Sequence, residues 1–305
     1  MTSSTSYQTI VSYMPDNIKS SMAKVHSSEI TRLSEVRLYN GRGIAFVFPD
    51  SVKFLKADGI LSNLYNNSCV KISHLQLKTI INSLCHSSLH SHERELSEGY
   101  FVIENGVRVG VSGTYSQGIS HILQSYSSLN FRIAREVKGC GTKVYEQTFG
   151  KSVIICGGVN SGKTTLLRDI CRLYGNRFKC TLIDERNEIS ALNVGQPTND
   201  IGLLTDVIGC RNRHESIISA VKTLSPKYIF CDEIADERDV EAIVSGVGSG
   251  VKFAATIHSS SFQELLKRKI MISLIEAGAF ECAVMLKGSE SPSEIMEIRS
   301  IENVC

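Results

Sequence analysis

A glycine-rich run that ends in a lysine and two threonines lies in the middle of the sequence. It consists of Gly157, Gly158, Val159, Asn160, Ser161, Gly162, Lys163, Thr164 and Thr165. Glycines let a loop turn its backbone N–H groups toward an anion, and a lysine at this spacing reaches the outer phosphates of a nucleotide. The threonine after the lysine can offer its hydroxyl to Mg²⁺, which prefers hard oxygen ligands. The run therefore predicts a site for a nucleoside triphosphate and its magnesium ion.

The segments on either side of this run are those that a phosphate-binding loop requires. An apolar strand-like stretch, Ser152 to Cys156, comes before it, and a helix-like stretch, Thr165 to Tyr174, follows it. The N-terminus of such a helix adds partial positive charge beneath the phosphates. A chance glycine turn would have neither flank, so we interpret the run as a Walker A loop.

Two carboxylates follow a second apolar run, Tyr228 to Cys231, about 70 residues further along. Asp232 is in the position that orients Mg²⁺, and Glu233 is in the position that activates the attacking water. A carboxylate beside the metal-binding one favours hydrolysis over phosphate transfer. The sequence contains no Asn-Lys-x-Asp motif for reading guanine. We therefore predict ATP, rather than GTP, as the nucleotide.

Two other apolar runs also end in polar residues. The first run is Thr181 to Ile183, followed by Asp184 to Glu188, and the second is Phe253 to Ala255, followed by Thr256, Ile257 and His258; within these ends we single out Glu185 and His258. Because ligands bind at the carboxyl ends of parallel strands, both residues are candidate sensors of the γ-phosphate. The alternatives are a hydrogen-bonded structural histidine at 258 and solvated turn carboxylates at Asp184 and Glu185.

The bulk properties of the chain limit its possible classes. The 305 residues carry 33 Lys and Arg against 31 Asp and Glu, a formal net charge of +2, which argues against a protein bound mainly to nucleic acid. The apolar runs fall short of the roughly 20 residues that cross a bilayer. The Ser-rich start lacks the features of an export signal, and the ten cysteines form no C-x-x-C pair. We expect a cytoplasmic protein with reduced thiols.

The only histidine cluster is His86, His90 and His92. Two of its members are spaced i, i+4, as on one face of a helix, but no aspartate or cysteine joins them at ligand spacing. Solvated histidines at a helix end are the preferred interpretation, and we expect no metal site there.

The distribution of apolar residues predicts an α/β fold in two domains, 1–145 and 146–305. In the second domain, short apolar runs alternate with helical stretches, as in a parallel sheet covered on both faces. In the first, turn signals at Asn40-Gly41 and Asn105-Gly106 predict two hairpins. The predicted elements are hairpins at 36–48 and 100–115, a helix at 73–89, parallel strands at 152–156, 180–184, 228–232 and 251–258, and a closing pair at 281–286 and 294–298.

Several motifs in order along the chain resemble those of the stage III sporulation protein AA family, which is related to the type II and type IV secretion ATPases. Besides the Walker A loop, they are 95–100 (ELSEGY), 106–113 (GVRVGVSG), 128–136 (SLNFRIARE), 184–186 (DER) and 232–234 (DEI). The resemblance covers nearly the whole chain. It implies a RecA-like ATPase domain behind a smaller α/β domain, with ATP and Mg²⁺ bound between subunits of a ring, expected to be a homo-hexamer.

The resemblance also implies partners and further site residues. The family is expected on the mother-cell side, peripheral to the membrane, where it would energise a channel complex of integral membrane proteins facing the forespore. Arginines of the first domain would complete the site: Arg132 and Arg135, and more weakly Arg108. An alternative of equal weight is that these arginines are solvated on a surface strand and do not contact the nucleotide. Arg186 could form an ion pair with Asp184 or Glu188. The family's loop usually has two prolines where this chain has Gly158 and Val159.

Two other function classes remain open at the level of sequence. RecA-like domains also serve nucleic-acid-dependent ATPases, although the near-neutral charge disfavours a nucleic-acid partner. A scaffold that binds nucleotide with little hydrolysis is the other class, and the carboxylate at Glu233 disfavours it. Salt-dependent binding to DNA or RNA would favour the first class, and binding without turnover would favour the second.

Overall fold

The computed structural model describes residues 3–85, 99–104, 107–115, 123–133, 137–193, 195–209 and 212–301. Contacts between Cα atoms divide the chain into two compact units. The first unit contains Met1–Glu136 and Asn193–Thr198, and the second contains Val137–Leu192 and Asn199–Cys305. The functions assigned from the sequence to 1–145 and 146–305 stay predictions.

In its described residues, the first unit combines four helices with an antiparallel sheet. The helices are α1 (Ser3–Ser12), α2 (Asp16–Met22), α3 (Ser27–Arg32) and α4 (His74–Leu84). The strands are β1 (Glu35–Tyr39), β2 (Ile44–Val47), β3 (Val52–Leu55), β4 (Leu61–Ser62), β5 (Tyr100–Ile103), β6 (Val107–Tyr115) and β7 (Leu123–Arg132). They pair in the order β4-β3-β2-β1-β7-β6-β5, and every adjacent pair is antiparallel.

Local sequence explains two elements of this unit. Gly41 has a φ of 69°, which glycine adopts without a steric penalty, and it turns β1 back onto β2 as predicted. Ser73 begins α4 with a capping box, in which its hydroxyl accepts from the N–H of Gln76 while the Gln76 side chain accepts from the N–H of Ser73. The predicted hairpin at 100–115 is present as β5 and β6, although its turn residues 105 and 106 lie outside the described residues.

After Arg132 the described residues form six more helices and nine more strands. The helices are α5 (Thr142–Gln147), α6 (Lys163–Gly175), α7 (Arg213–Thr223), α8 (Glu237–Gly248), α9 (Phe262–Lys267) and α10 (Lys269–Glu276). The strands are β8 (Val153–Gly157), β9 (Cys180–Asp184), β10 (Leu192–Asn193), β11 (Gln196–Pro197), β12 (Thr205–Gly209), β13 (Tyr228–Cys231), β14 (Lys252–His258), β15 (Cys282–Leu286) and β16 (Ile295–Ser300). The short strands β10 and β11 form a separate two-stranded sheet, and Asn193 and all of β11 belong to the first unit.

The main sheet of the second unit has the strand order β12-β9-β13-β14-β8-β15-β16. All neighbours are parallel except β15 and β16, which form an antiparallel edge pair as the sequence predicted. The carboxyl ends of β8, β9, β13 and β14 therefore lie along the same edge of the sheet. This edge is where ligands bind in open parallel sheets.

The main sheet is buried on both faces, which explains the continuous apolar runs in its strands. Along β8, Ile154 and Cys156 face one apolar cluster, whereas Val153 and Ile155 face another. Helices α8 and α10 supply apolar residues to the first cluster, and α6 supplies them to the second. None of the helices in the described part of the chain has the length and apolarity that a bilayer crossing needs.

Candidate functional site

The run Gly157–Thr165 forms the connection between β8 and α6. Asn160 and Gly162 have φ values of 58° and 87°, so the backbone turns through the left-handed region twice before the helix begins. Among the described residues, no side chain caps the N-terminus of α6. The first N–H groups of a helix have no partner within the helix, and together with the helix dipole they favour an anion at this end.

Lys163 lies against the loop that precedes it. Its Nζ donates to the carbonyl oxygens of Gly157 and Gly158, at 2.9 and 2.7 Å. Burial lowers the pKa of the Lys163 ammonium, while the carboxylates of Asp232 and Glu233 act in the opposite direction. A partly buried cation that is hydrogen-bonded to neutral carbonyls in the described structure suits the negative charge of a phosphate.

Asp232 is held between two threonines from different elements. Thr164 Oγ1, in the first turn of α6, donates to Asp232 Oδ2 at 2.8 Å. Thr256 Oγ1, on β14, donates to Asp232 Oδ1 at 2.5 Å. This arrangement follows from the strand order, because β14 lies between β8 and β13 and places Thr256 between the loop and the carboxylate. The hydroxyl and the carboxylate assigned to Mg²⁺ from the sequence are therefore in contact.

Glu233 leaves β13 in an uncommon backbone conformation. Its φ is 52°, which costs a residue with a side chain about 1–3 kcal/mol. Its N–H donates to Thr256 Oγ1 at 2.8 Å, so one buried threonine orients both carboxylate residues. The Glu233 carboxylate is half exposed and lies 3.3 Å from Arg186 Nη1. Among the described residues, the ion-pair partner of Arg186 is therefore Glu233, whereas the sequence suggested Asp184 or Glu188.

Asp184 and Glu185 have different environments at the end of β9. Asp184 is buried and accepts hydrogen bonds from the N–H groups of Glu188, Ile189 and Ser190 and from the Ser190 hydroxyl, so it organises the loop that follows. The Glu185 carboxylate is partly exposed and accepts from Arg213 Nη2 at 3.0 Å. Glu185, Arg186 and Glu233 line one small pocket, together with Arg213 and Asp232.

The remaining predicted residues fall in three places. His258 ends β14 and pairs in register with Gly157, so it lies beside the first residue of the loop. Arg132 ends β7 in the first unit, where its Nε lies 3.5 Å from Glu35 Oε1. The Arg108 guanidinium lies 4.0 Å from the centre of the Tyr100 ring. Arg135 and the histidine cluster at 86–92 lie outside the described residues.

These groups meet the chemical requirements of a magnesium nucleotide. Thr164 and Asp232 offer hard oxygen atoms of the kind that Mg²⁺ prefers, and these two oxygens lie 2.8 Å apart. Lys163 and the uncapped first turn of α6 supply positive charge for phosphates. Gly157 allows the loop to pack tightly, since a Cβ there would lie 2.3 Å from Ser161 Oγ. The donor set therefore fits the ligands predicted from the sequence.

Sequence reasoning did not assign a role to three residues that hold this site. Thr256 was visible only as part of a polar strand end, and Arg213 and Ser293 lie in segments without a recognised motif. Arg213 bonds Glu185 and the buried Asp239, and Ser293 bonds the backbone of the loop. Their partners lie 23 or more residues away in the chain. A local pattern carries no signal for such pairs.

Comparison with solved structures identifies the class of fold. The pilus retraction motor PilT with bound ADP superposes with a TM-score of 0.56 and 16% identity, over 83% of this chain and 74% of that one. The ATPase DotB of Legionella pneumophila gives 0.52 and 16%, over 83% and 72%. The fold is therefore the RecA-like fold of these ATPases, as the sequence predicted.

Comparison of sequences identifies the family. The pattern of the family described as "Sporulation stage III, protein AA" matches residues 6–303, and the chain belongs to that family. Stage III sporulation protein AA of Bacillus subtilis (strain 168) is 27% identical over 301 residues, which cover 95% of this chain and 94% of that protein. The family predicted from the motifs is confirmed.

Proposed function

We propose that this protein binds ATP with Mg²⁺ in the loop Gly157–Thr165 and hydrolyses it. The observation that supports this most directly is the contact between Thr164 and Asp232, which brings the two predicted magnesium ligands together beside Lys163. The lysine and the first turn of α6 would bind the phosphates, and Thr164 and Asp232 would hold the ion. When bound, Mg²⁺ would offset negative charge on the phosphate oxygens.

The hydrolytic step is assigned to Glu233. Its carboxylate would accept a proton from a water molecule as the water oxygen bonds to the γ-phosphorus, and the bond from that phosphorus to the bridging oxygen of ADP would break. Thr256 would hold the backbone at Glu233 while this occurs, because it accepts the Glu233 N–H. Glu185 and His258 are proposed to respond to the γ-phosphate from the neighbouring strand ends.

The cellular role is proposed from the family and the fold together. A sporulation protein with the fold of the pilus retraction motor PilT suits a cytoplasmic motor on the mother-cell side, peripheral to the membrane, which energises a channel complex of membrane proteins. We propose a ring, with Arg132 and Arg135 completing the nucleotide site. No nucleic-acid partner is proposed.

Nucleotide binding and turnover by purified protein test the assignment. Lys163→Ala should weaken binding of MgATP at least about 100-fold, because the ammonium contacts the phosphates directly. Glu233→Gln should keep binding within about threefold but lower the turnover rate by about 100-fold or more, in line with the loss of a general base. Calorimetry measures the first effect, and phosphate release measures the second.

Two variants serve as matched controls. Lys143→Ala and Glu241→Gln change exposed residues of the same unit and should leave both measurements unchanged. Turnover that is the same in wild type, Lys163→Ala and Glu233→Gln would contradict the assigned chemistry. Tight MgATP binding without turnover in the assembled wild type would instead favour the nucleotide-binding scaffold.

A further inference from the structure

The turn between β15 and β16 is hydrogen-bonded to the phosphate-binding loop by Ser293. The Ser293 N–H donates to the carbonyl of Ser161 at 2.7 Å. The Ser293 hydroxyl donates to the carbonyl of Gly162 at 3.2 Å, across 131 residues of sequence. Two consecutive carbonyls of the loop are therefore bound by a single residue of the edge hairpin, and we refer to these two bonds as the Ser293 contact.

The backbone on both sides of the Ser293 contact has an uncommon conformation. Ser293 is buried and has a φ of 67°, a region that side-chain-bearing residues rarely adopt. Gly162 has a φ of 87°, and a Cβ on it would lie 2.4 Å from both the nitrogen and the Oγ of Ser293. The close approach therefore needs glycine on the loop and a tight turn on the hairpin.

The hairpin that carries Ser293 is braced independently of the loop. The N–H of Lys287 donates to the carbonyl of Glu294 at 3.0 Å, and the N–H of Glu294 donates to the carbonyl of Ser291 at 3.1 Å. The side chains of Lys287 and Glu294 also form an ion pair. The turn is thus held at its own base, and it can serve as a support for the segment that it contacts.

The first half of the phosphate-binding loop is held from within, because the Gly158 carbonyl accepts from Lys163 Nζ and from the N–H and hydroxyl of Ser161. Residues 157–165 include no proline, and Val159 and Asn160 are exposed at its tip. Ordering a backbone residue costs roughly 1–2 kcal/mol of conformational free energy, so a loop that is ordered only by its ligand binds that ligand more weakly. The Ser293 contact orders the half of the loop that leads into α6, before any ligand arrives.

We propose that Ser293 is a positioning residue that keeps the phosphate-binding loop in its nucleotide-binding conformation. This inference rests on the proposed function, and Ser293 acts through the backbone of Ser161 and Gly162. Because the loop would hold the phosphates that ADP and ATP share, loss of the contact weakens both ligands by the same factor. The reacting carboxylate at Glu233 is untouched, so the turnover rate at saturation is preserved.

Ser293→Gly tests the proposal with little disturbance of the fold. Glycine accepts a φ of 67° and keeps the N–H that bonds Ser161, so only the hydroxyl bond to Gly162 is removed. We expect Kd for ADP, and KM for ATP, to rise about 3- to 10-fold with kcat within twofold of wild type. Ser289→Gly, an exposed position in the same turn, is the matched control and should change neither.

Hydrogen exchange in nucleotide-free protein separates this proposal from the proposed function. The amides of 161–164 should exchange faster in Ser293→Gly than in wild type or Ser289→Gly. Unchanged exchange together with unchanged nucleotide affinity would overturn the role of Ser293. If wild-type protein bound no nucleotide, the proposed function would fail, and the exchange comparison would still decide whether Ser293 orders the loop.

Discussion

Arg213 provides the sharpest test of how the site is held together. Arg213 is the first residue of α7. Its Nη1 donates to Asp239 Oδ2 at 2.7 Å, and its Nη2 donates to Glu185 Oε2 at 3.0 Å. Asp239 Oδ2 also accepts the N–H of Ala235, two residues after Glu233. One guanidinium therefore joins the end of β9, the start of α8 and the segment that follows the predicted catalytic carboxylate.

The cost of removing this guanidinium follows from the burial of its partners. The side chains of Arg213 and Asp239 are 11% and 5% exposed, so Arg213→Met leaves a buried carboxylate without its cation. Breaking such a buried pair costs about 3–5 kcal/mol of unfolding free energy. The Glu185 side chain is 42% exposed, and its share is at most about 1 kcal/mol.

Arg186→Met is the comparison for this prediction. Arg186 and Glu233 are 66% and 49% exposed and lie 3.3 Å apart, so loss of their ion pair should cost less than about 1 kcal/mol. Urea unfolding followed by circular dichroism measures both variants, with the transition of the second unit fitted separately if the two units unfold apart. Equal losses for Arg213→Met and Arg186→Met would refute the assignment of Arg213 as a buried connector.

A double variant examines the coupling between the two buried charges. Arg213→Met combined with Asp239→Leu replaces both charges by apolar groups, so its cost should be smaller than the sum of the two single costs. The N–H of Ala235 still loses its acceptor, which leaves about 1–3 kcal/mol unrecovered. Additive single costs would show that the two side chains do not depend on each other.

Two further predictions concern packing and thiol chemistry in the second unit. Gly246→Ala should lower the unfolding free energy by about 1–3 kcal/mol, because its Cβ would lie 2.6 Å from the Phe253 ring. Gly248→Ala should raise the unfolding free energy by about 0.5 kcal/mol, because a Cβ at that position meets open space. Urea transitions that are the same for the two variants would contradict this prediction. Burial raises the pKa of Cys156 and of Cys231 from 9.0 to about 12, which favours the neutral thiol in the folded state. The stability that this burial contributes is complete below pH 9 and is lost as pH rises toward 12. Because iodoacetamide reacts with the thiolate, at pH 9 it should label both cysteines in urea but neither in the folded protein. Rapid labelling of the folded protein, measured by mass spectrometry, would refute this assignment.

Much of the fold was predictable because its signals are local. The runs at 152–156, 180–184, 228–232 and 251–258 became parallel strands, since a strand buried on both faces must be apolar throughout. β12 was not predicted, because its residues Thr205–Gly209 are only partly buried at the sheet edge and show no apolar run. The order of the strands has no local signal, and it appears only when the chain packs.

The sequence by itself determined the family, the two-part α/β architecture and the residue types of the candidate site. A glycine loop before a helix and two carboxylates after a strand can be recognised wherever they stand, because their chemistry depends on nearest neighbours. Only the tertiary structure decided what holds them: Thr256 beside Asp232 and Glu233, Arg213 between Glu185 and Asp239, and Ser293 on the phosphate-binding loop. These contacts join residues 23 to 132 positions apart, and such pairs are specified by the packing of the whole sheet rather than by any segment.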